Sequence, residues 1–376
     1  MNGIKLDVLY GGKAVGTLSE TANHRIAFAY TKEWLSSGFP ISPFSLPLKP
    51  DVFVPSSNAF GGLFGVFADS LPDAWGQLLM NRMLRSHGMN MDEVGQLTRL
   101  SIIGSSGMGA LCYLPEWERR KPQDLEDLDV LAEKCWRILS REESQDADEL
   151  YALAGTIGGA GPKVMTEEWI IKFPASADDP EAGFLEKEYM DSARRCGIVV
   201  PETRLLPSKR CKGYFAVRRF DRTQGTDGMT RRHHVMTAAA LLEQDWRVPN
   251  LDYHTLMKLT KILCRDRKEE VEQMYRRMCF NVFAHNRDDH SKNFSFLYNA
   301  EKDQWSLSPA YDLTFSNTYY GEHTTTVDGN GRDPGMKELM AVGKAAGISA
   351  GRCRSIAEQV QMEALPLQKK YRKNDG

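Results

Sequence analysis

Short alternating segments open the chain and give way to helical periodicity further along. Lys5–Tyr10 and Ala14–Leu18 alternate apolar and polar residues around Gly11-Gly12, which predicts a β-hairpin. Arg25–Tyr30 reads as another strand. Ser70-Leu71-Pro72-Asp73 predicts a helix start, with Ser70 as cap, Pro72 in the first turn and Asp73 answering the capping side chain. That helix runs to about Ser86 on a stripe of Ala74, Leu78, Leu79, Met83 and Leu84. The charged, Pro-containing stretch Glu116–Leu128 reads as a connector, followed by helical patterns at 129–141 and 142–154. Residues 155–222 are strand-rich with one helix, Glu181–Cys196. From Arg231 the pattern is mostly helical, at 233–244, 253–264 and 268–285, with short strands near 294–298 and 304–307. A last helical region precedes a basic tail, Lys369-Lys370-Tyr371-Arg372-Lys373.

Composition adds bounds. The 376 residues are 41% hydrophobic and 26% charged, an ordinary globular balance with room for two domains. A formal net charge of −2 gives no bulk attraction for nucleic acid. No apolar run is long enough to span a bilayer, and the N-terminus has no basic region followed by an apolar one, so the expected compartment is the cytoplasm, with no membrane partner. The seven scattered cysteines, with no CxxC pair, fit reduced thiols.

The candidate chemistry lies in one polar block. Asn286-Arg287-Asp288-Asp289-His290-Ser291-Lys292-Asn293 matches the protein-kinase catalytic loop H-R-D-x-x-x-x-N at the Arg-Asp pair and at the spacing to Asn. Phosphoryl transfer from ATP needs a carboxylate to take the hydroxyl proton and oxygen ligands to fix Mg²⁺. Asp288 and Asn293 stand where those roles fall, between an apolar helix (Met274–Ala284) and a strand (Phe294–Leu297). Ala310-Tyr311-Asp312-Leu313 takes the place of D-F-G, with Asp312 as the main metal ligand. Upstream, Trp169-Ile170-Ile171-Lys172 is a strand ending in lysine, close to V-A-I-K. The glycine-rich stretch before it, 155–163, allows backbone amides to approach phosphates. Glu186 and Glu188 follow on a helix; either can pair with Lys172, but not both from one face.

Each part alone has a plainer reading: a turn, a solvated lysine, or a metal site built from His285, Asp288, Asp289 and His290. Their order along the chain favours a kinase.

The same residues are similar to the HipA family of serine/threonine kinases, the toxins of bacterial toxin–antitoxin pairs. Asp288–Ser295, Ser308–Leu313, Val217–Arg222 and Gly158–Lys163 carry the resemblance, as do Tyr30–Leu35, Ser45–Leu48 and Asp69–Asp73 nearer the N-terminus. It spans nearly the whole chain. The resemblance implies an α+β, bilobal protein-kinase-like fold, with a strand-rich small lobe, a mostly helical large lobe and an N-terminal α+β subdomain. The corresponding boundaries are 1–115 for the subdomain, 116–128 for a connector, 129–222 for the small lobe and 223–376 for the large lobe. It further implies Asp288 as base, Lys172 and His290 beside the phosphates, and Asn293 and Asp312 on Mg²⁺. ATP would be received by Ile157, Gly158, Gly159, Ala160 and Lys163, and by a hinge at Val217–Phe220 that includes Arg218 and Phe220. Arg218 stands where an acidic residue is more usual, on a segment that meets adenine largely through backbone. Thr156 falls at the position where the family often carries an autophosphorylated serine, and Glu186 is the implied partner of Lys172. Implied partners are a helix-turn-helix, HipB-like antitoxin, DNA only through that antitoxin, and a translation-linked protein substrate such as an aminoacyl-tRNA synthetase. The competing readings are a small-molecule kinase and a catalytically silent module that binds a DNA regulator.

Overall fold

The computed structural model describes residues 4–90, 94–117, 127–140, 147–154, 159–176, 179–318 and 320–372. The chain divides into two compact units, one of residues 1–181 and 206–245, the other of residues 182–205 and 246–376.

The first unit begins with an antiparallel sheet. Lys5–Tyr10 pairs with Lys13–Glu20 across Gly11 and Gly12, whose φ values of +54° and +79° are those a two-residue hairpin turn of right-handed twist requires. Ile26–Tyr30 and Val52–Phe53 extend the sheet on one side, and Leu111–Leu114 returns to pair with the first strand on the other. Thr31 caps the short helix Lys32–Ser37 by accepting the Trp34 amide.

The helix Ala74–Ser86 buries Trp75, Leu79, Met80, Met83 and Leu84. These share one core with residues of the helices Leu128–Leu139 and Ala147–Ala154 and of the strands Lys163–Met165 and Trp169–Lys172. Trp169–Lys172 pairs antiparallel with Lys163–Met165 on one side and with Tyr214–Arg218 on the other.

In the second unit the helix Lys268–Ala284 is buried on nearly every face of its C-terminal half. It packs against Tyr253–Leu263 and the long C-terminal helix Ala350–Arg372, which also contacts Ala182–Arg195. It ends at His285, which adopts left-handed backbone (φ +59°, ψ +43°) and turns the chain into the polar block. The hairpin Ser295–Asn299/Gln304–Leu307 follows. The seven cysteines form no disulfide, and no helix among the described residues is long and apolar enough to cross a membrane.

Two expectations are corrected. Ser70 does not cap the helix: its hydroxyl bonds that of Tyr113 at 2.7 Å, and Asp73 is the N-cap residue, which leaves Pro72 outside the helix. The segment 233–244 is not one helix. His234–Thr237 is extended, and a single helical turn, Ala238–Leu241, begins where the Thr237 hydroxyl accepts the Ala240 amide. The β-branched Val235 and Thr237 favour the strand, and the cap fixes the switch. Boundaries elsewhere move by a residue or two, as in Ala182–Arg195 for Glu181–Cys196; the expected helix 142–154 is seen over Ala147–Ala154, its residues 142–146 and residues 118–126 of the expected connector lying outside the described residues.

Candidate active site

In the second unit the polar block is drawn into a tight loop. His290 precedes a 3₁₀ turn, Ser291–Asn293, closed by the Asn293 amide on the His290 carbonyl at 2.9 Å. The Asn293 side chain reaches back, Nδ2 donating to the Asp288 carbonyl at 2.7 Å. Tyr311 braces the loop from the following segment: its hydroxyl donates to the Lys292 carbonyl at 2.6 Å and also meets the Ser295 hydroxyl. Asp312 comes next, in left-handed backbone at φ +52°, a conformation aspartate tolerates better than most residues.

The two adjacent aspartates have opposite environments. The Asp288 side chain is 57% exposed, with an oxygen 4.0 Å from His290 Nε2. Its carboxyl is raised above its ordinary value, first by partial desolvation and then by the Asp312 and Asp289 charges, against the pull of His290. Asp289 is fully buried. It accepts from the Tyr253 hydroxyl at 2.9 Å, His323 Nδ1 at 3.0 Å and the Thr325 amide at 3.1 Å. Asn281 donates to the same Tyr253 oxygen at 2.8 Å, so the network runs back into the central helix. Asp289 therefore anchors the loop while Asp288 faces outward.

The metal alternative loses its members to other work. His285 Nε2 meets Asn317 Oδ1 at 2.6 Å and its ring stacks on Phe315, while Asp289 is enclosed by donors. Among the described residues no cluster of three or more His, Cys, Asp or Glu is placed to hold a metal.

Three further residues support the loop, and two of them, Trp246 and His323, lie outside the motif. Trp246 lies 5.0 Å, centroid to centroid, from His290 and carries the Lys292 ammonium over its ring at 5.7 Å. Arg287 donates to the main-chain carbonyls of Gly321 and Arg332, tying the loop to the segment beyond Asp312. His323 pairs with Asp289. Only Arg287 had a signal, its place beside Asp288. Glu188 accepts from Lys370 Nζ at 2.6 Å and from the Tyr371 hydroxyl, and Glu186, two residues earlier, lies on another face of that helix.

In the first unit, Lys172 ends its strand as expected, its ammonium 5.7 Å from the Phe215 ring centroid. Its cross-strand partner is Lys163, so both lysines leave the same face. Lys163 is 4% exposed and folds back over Gly159. The hinge candidates Val217–Phe220 are preorganised by a buried ion cluster in which Asp221 accepts from Arg219 at 2.9 and 2.8 Å, Arg222 at 2.6 Å and the Gly109 amide at 2.8 Å. Burial pushes the Asp221 carboxyl up, but these bonds and charges outweigh it and hold it low. Arg218 points to solvent, Phe220 is half-buried, and Gly159 and Ala160 begin the described part of the glycine stretch. Thr156, Ile157 and Gly158 lie outside the described residues. Asp288, His290, Asn293, Asp312 and Glu186 thus belong to one unit, and Gly159, Ala160, Lys163, Lys172, Arg218 and Phe220 to the other.

These elements define a mixed helix-and-sheet, kinase-like fold. The HipA-like C-terminal domain profile matches residues 155–366 and the HipA N-terminal domain profile residues 6–114. The chain belongs to the HipA family. It is similar to Y4dM of Sinorhizobium fredii, which carries a provisional kinase name, at 24% identity over 86% of this chain and 80% of that protein. It is also similar to the serine/threonine-protein kinase toxin HipA of Shewanella oneidensis, at 23% identity over 84% and 76% of the two chains. The solved complex of Shewanella oneidensis HipA with HipB and operator DNA shares the fold, with a TM-score of 0.72 and 18% identity over 97% of this chain and 90% of that one.

Proposed function

We propose that this protein is a Mg²⁺- and ATP-dependent serine/threonine protein kinase. The observation that carries the reading is the pairing of an outward-facing, basicity-raised Asp288 with Asn293, tied to its carbonyl. Asp288 accepts the proton of the substrate hydroxyl as the oxygen–phosphorus bond forms and the bond to the ADP oxygen breaks.

The residues fit the nucleotide and its metal. Asn293 spends its Nδ2 on Asp288 and retains Oδ1 as a hard oxygen ligand, with the Asp312 carboxylate as the second. Mg²⁺ held by these two residues would neutralise charge on the phosphates. His290 Nδ1 is buried with no hydrogen-bond partner among the described residues, and in its Nδ1–H tautomer it would be a donor that a phosphate oxygen satisfies. The cross-strand lysines Lys163 and Lys172 place two ammonium groups on one face, the charge a phosphate calls for. Glu186 is the proposed partner of Lys172.

Family membership supports a HipB-like helix-turn-helix antitoxin as partner, with DNA reached through it, and a translation-linked protein substrate whose phosphorylation arrests growth. The corresponding compartment is the cytoplasm. Thr156 is the proposed autophosphorylation site, detectable by mass spectrometry after incubation with ATP. The deciding experiment is γ-phosphate transfer from labelled ATP to host lysate proteins with Asp288→Asn as control. Mg²⁺-dependent labelling that disappears in the variant is expected; labelling that persists removes Asp288 as the base.

A further inference from the structure

The segment Asp69-Ser70-Leu71-Pro72-Asp73 has no role in the chemistry above, yet its side chains make long-range bonds within the first unit. Asp69 accepts from the Thr237 amide at 2.7 Å and its hydroxyl at 2.8 Å, and Ser70 bonds Tyr113. Asp73 is the N-cap of the helix Ala74–Ser86 but makes no capping bond to its own helix. Its Oδ2 instead accepts the amide of Gly159, 86 residues away, at 3.3 Å.

The exchange is reciprocal. The Gly159 carbonyl accepts the Trp75 amide at 3.2 Å, one of the first-turn donors that a capping side chain ordinarily satisfies. The Trp75 indole nitrogen, on a residue 1% exposed, then donates to the Lys163 carbonyl at 3.1 Å. Three bonds thus hold both ends of the stretch 159–163. Gly159 has φ +95°, and a Cβ there would lie 2.5 Å from Lys163 Nζ, so the peptide and the lysine are fitted to each other.

We propose that Asp73 and Trp75 are positioning residues for nucleotide binding, fixing the foot of the glycine-rich stretch and the direction of Lys163. The N-terminal subdomain thereby sets the geometry of the phosphate-binding strand pair. The proposal rests on the kinase reading above, and its test separates the two. Without the Asp73 carboxylate the Gly159 peptide loses its acceptor, and 159–163 samples other conformations, which nucleotide binding must then reverse.

The experiment uses the full chain with Asp73→Ala, Asp73→Asn and Trp75→Phe. Steady-state transfer gives KM for MgATP and kcat, and hydrogen exchange of residues 159–163 is followed without nucleotide. For Asp73→Ala the expected result is a KM raised about tenfold with kcat nearly unchanged, the size expected for one charge-assisted bond. Exchange at 159–163 rises in the same variant, Asp73→Asn recovers part of both effects by keeping an acceptor oxygen, and Trp75→Phe accelerates exchange near Lys163. If Asp73→Ala does not fold, Asp73→Asn and Trp75→Phe carry the test. An unchanged KM with unchanged exchange overturns the proposal, as does a fall in kcat with KM constant. Absence of transfer by the wild-type chain defeats the kinase reading instead, while exchange still reports on the Asp73–Gly159 bond.

Discussion

Asn293 donates its side-chain amide to the main-chain carbonyl of Asp288 at 2.7 Å, so the proposed metal ligand and the proposed base share one closed loop. Asn293→Asp keeps an oxygen ligand and loses this donor. A kcat about tenfold lower at saturating Mg²⁺ is expected. An unchanged kcat in a Mg²⁺ titration would show the tie to be dispensable.

The aspartate pair separates chemistry from architecture. Asp288→Asn alters an exposed side chain, and transfer should fall about 10²–10⁴-fold while stability stays within about 0.5 kcal/mol. Asp289→Ala strands His323, Tyr253 and the Thr325 amide in the interior and should cost about 3 kcal/mol. Urea unfolding alongside transfer rates checks both, and equal losses of stability would refute the division of roles.

His234 gives a pH dependence of stability. It is fully buried, its Nε2–H donating to the Ile41 carbonyl at 2.7 Å, and burial lowers it from 6.5 to about 4. Between those values the unfolded chain binds a proton that the folded chain refuses, so stability falls as pH falls. From pH 6.5 to pH 5 the loss is roughly 1.5 kcal/mol. Denaturant melts of His234→Gln, which cannot titrate, should lack that part of the slope.

Gly343 tests packing against propensity. Alanine is the better helix former by about 1 kcal/mol, but a Cβ at Gly343 would lie 2.5 Å from Cys353 Sγ and 2.6 Å from the Tyr275 ring. Overpacking of about 1–3 kcal/mol outweighs the gain. Gly343→Ala should therefore unfold at lower denaturant concentration than wild type.

Most elements were legible where local chemistry decides them. Gly11-Gly12 marks its hairpin, and the apolar run before His285 marks the central helix. At Ser70 a tertiary partner won, Tyr113 taking its hydroxyl; at 233–244 the local Thr237 cap, with Thr237 also held by Asp69 from 168 positions away, ends a strand that periodicity reads as helix. The loop motif singles out the proposed Asp288 and Asn293 because they lie close in sequence, whereas Asp312 is read from a separate segment, 310–313. Trp246, His323 and the Asp73–Gly159 bond depend on residues 30 to 90 positions away, a separation that no local pattern records.

The split of the chain between its two units bears on biosynthesis. Residues 182–205 belong with 246–376, and residues 206–245 with the beginning of the chain. Neither unit is a contiguous piece, so a ribosome cannot release either one complete before the other has begun. The Glu186-bearing helix emerges early but waits for Glu363, Lys370 and Tyr371, 168 to 183 positions further along, for its contacts to Arg195 and Glu188. A nascent chain therefore acquires the finished second unit only once residues 363–371 have been made, and products terminated before them lack it.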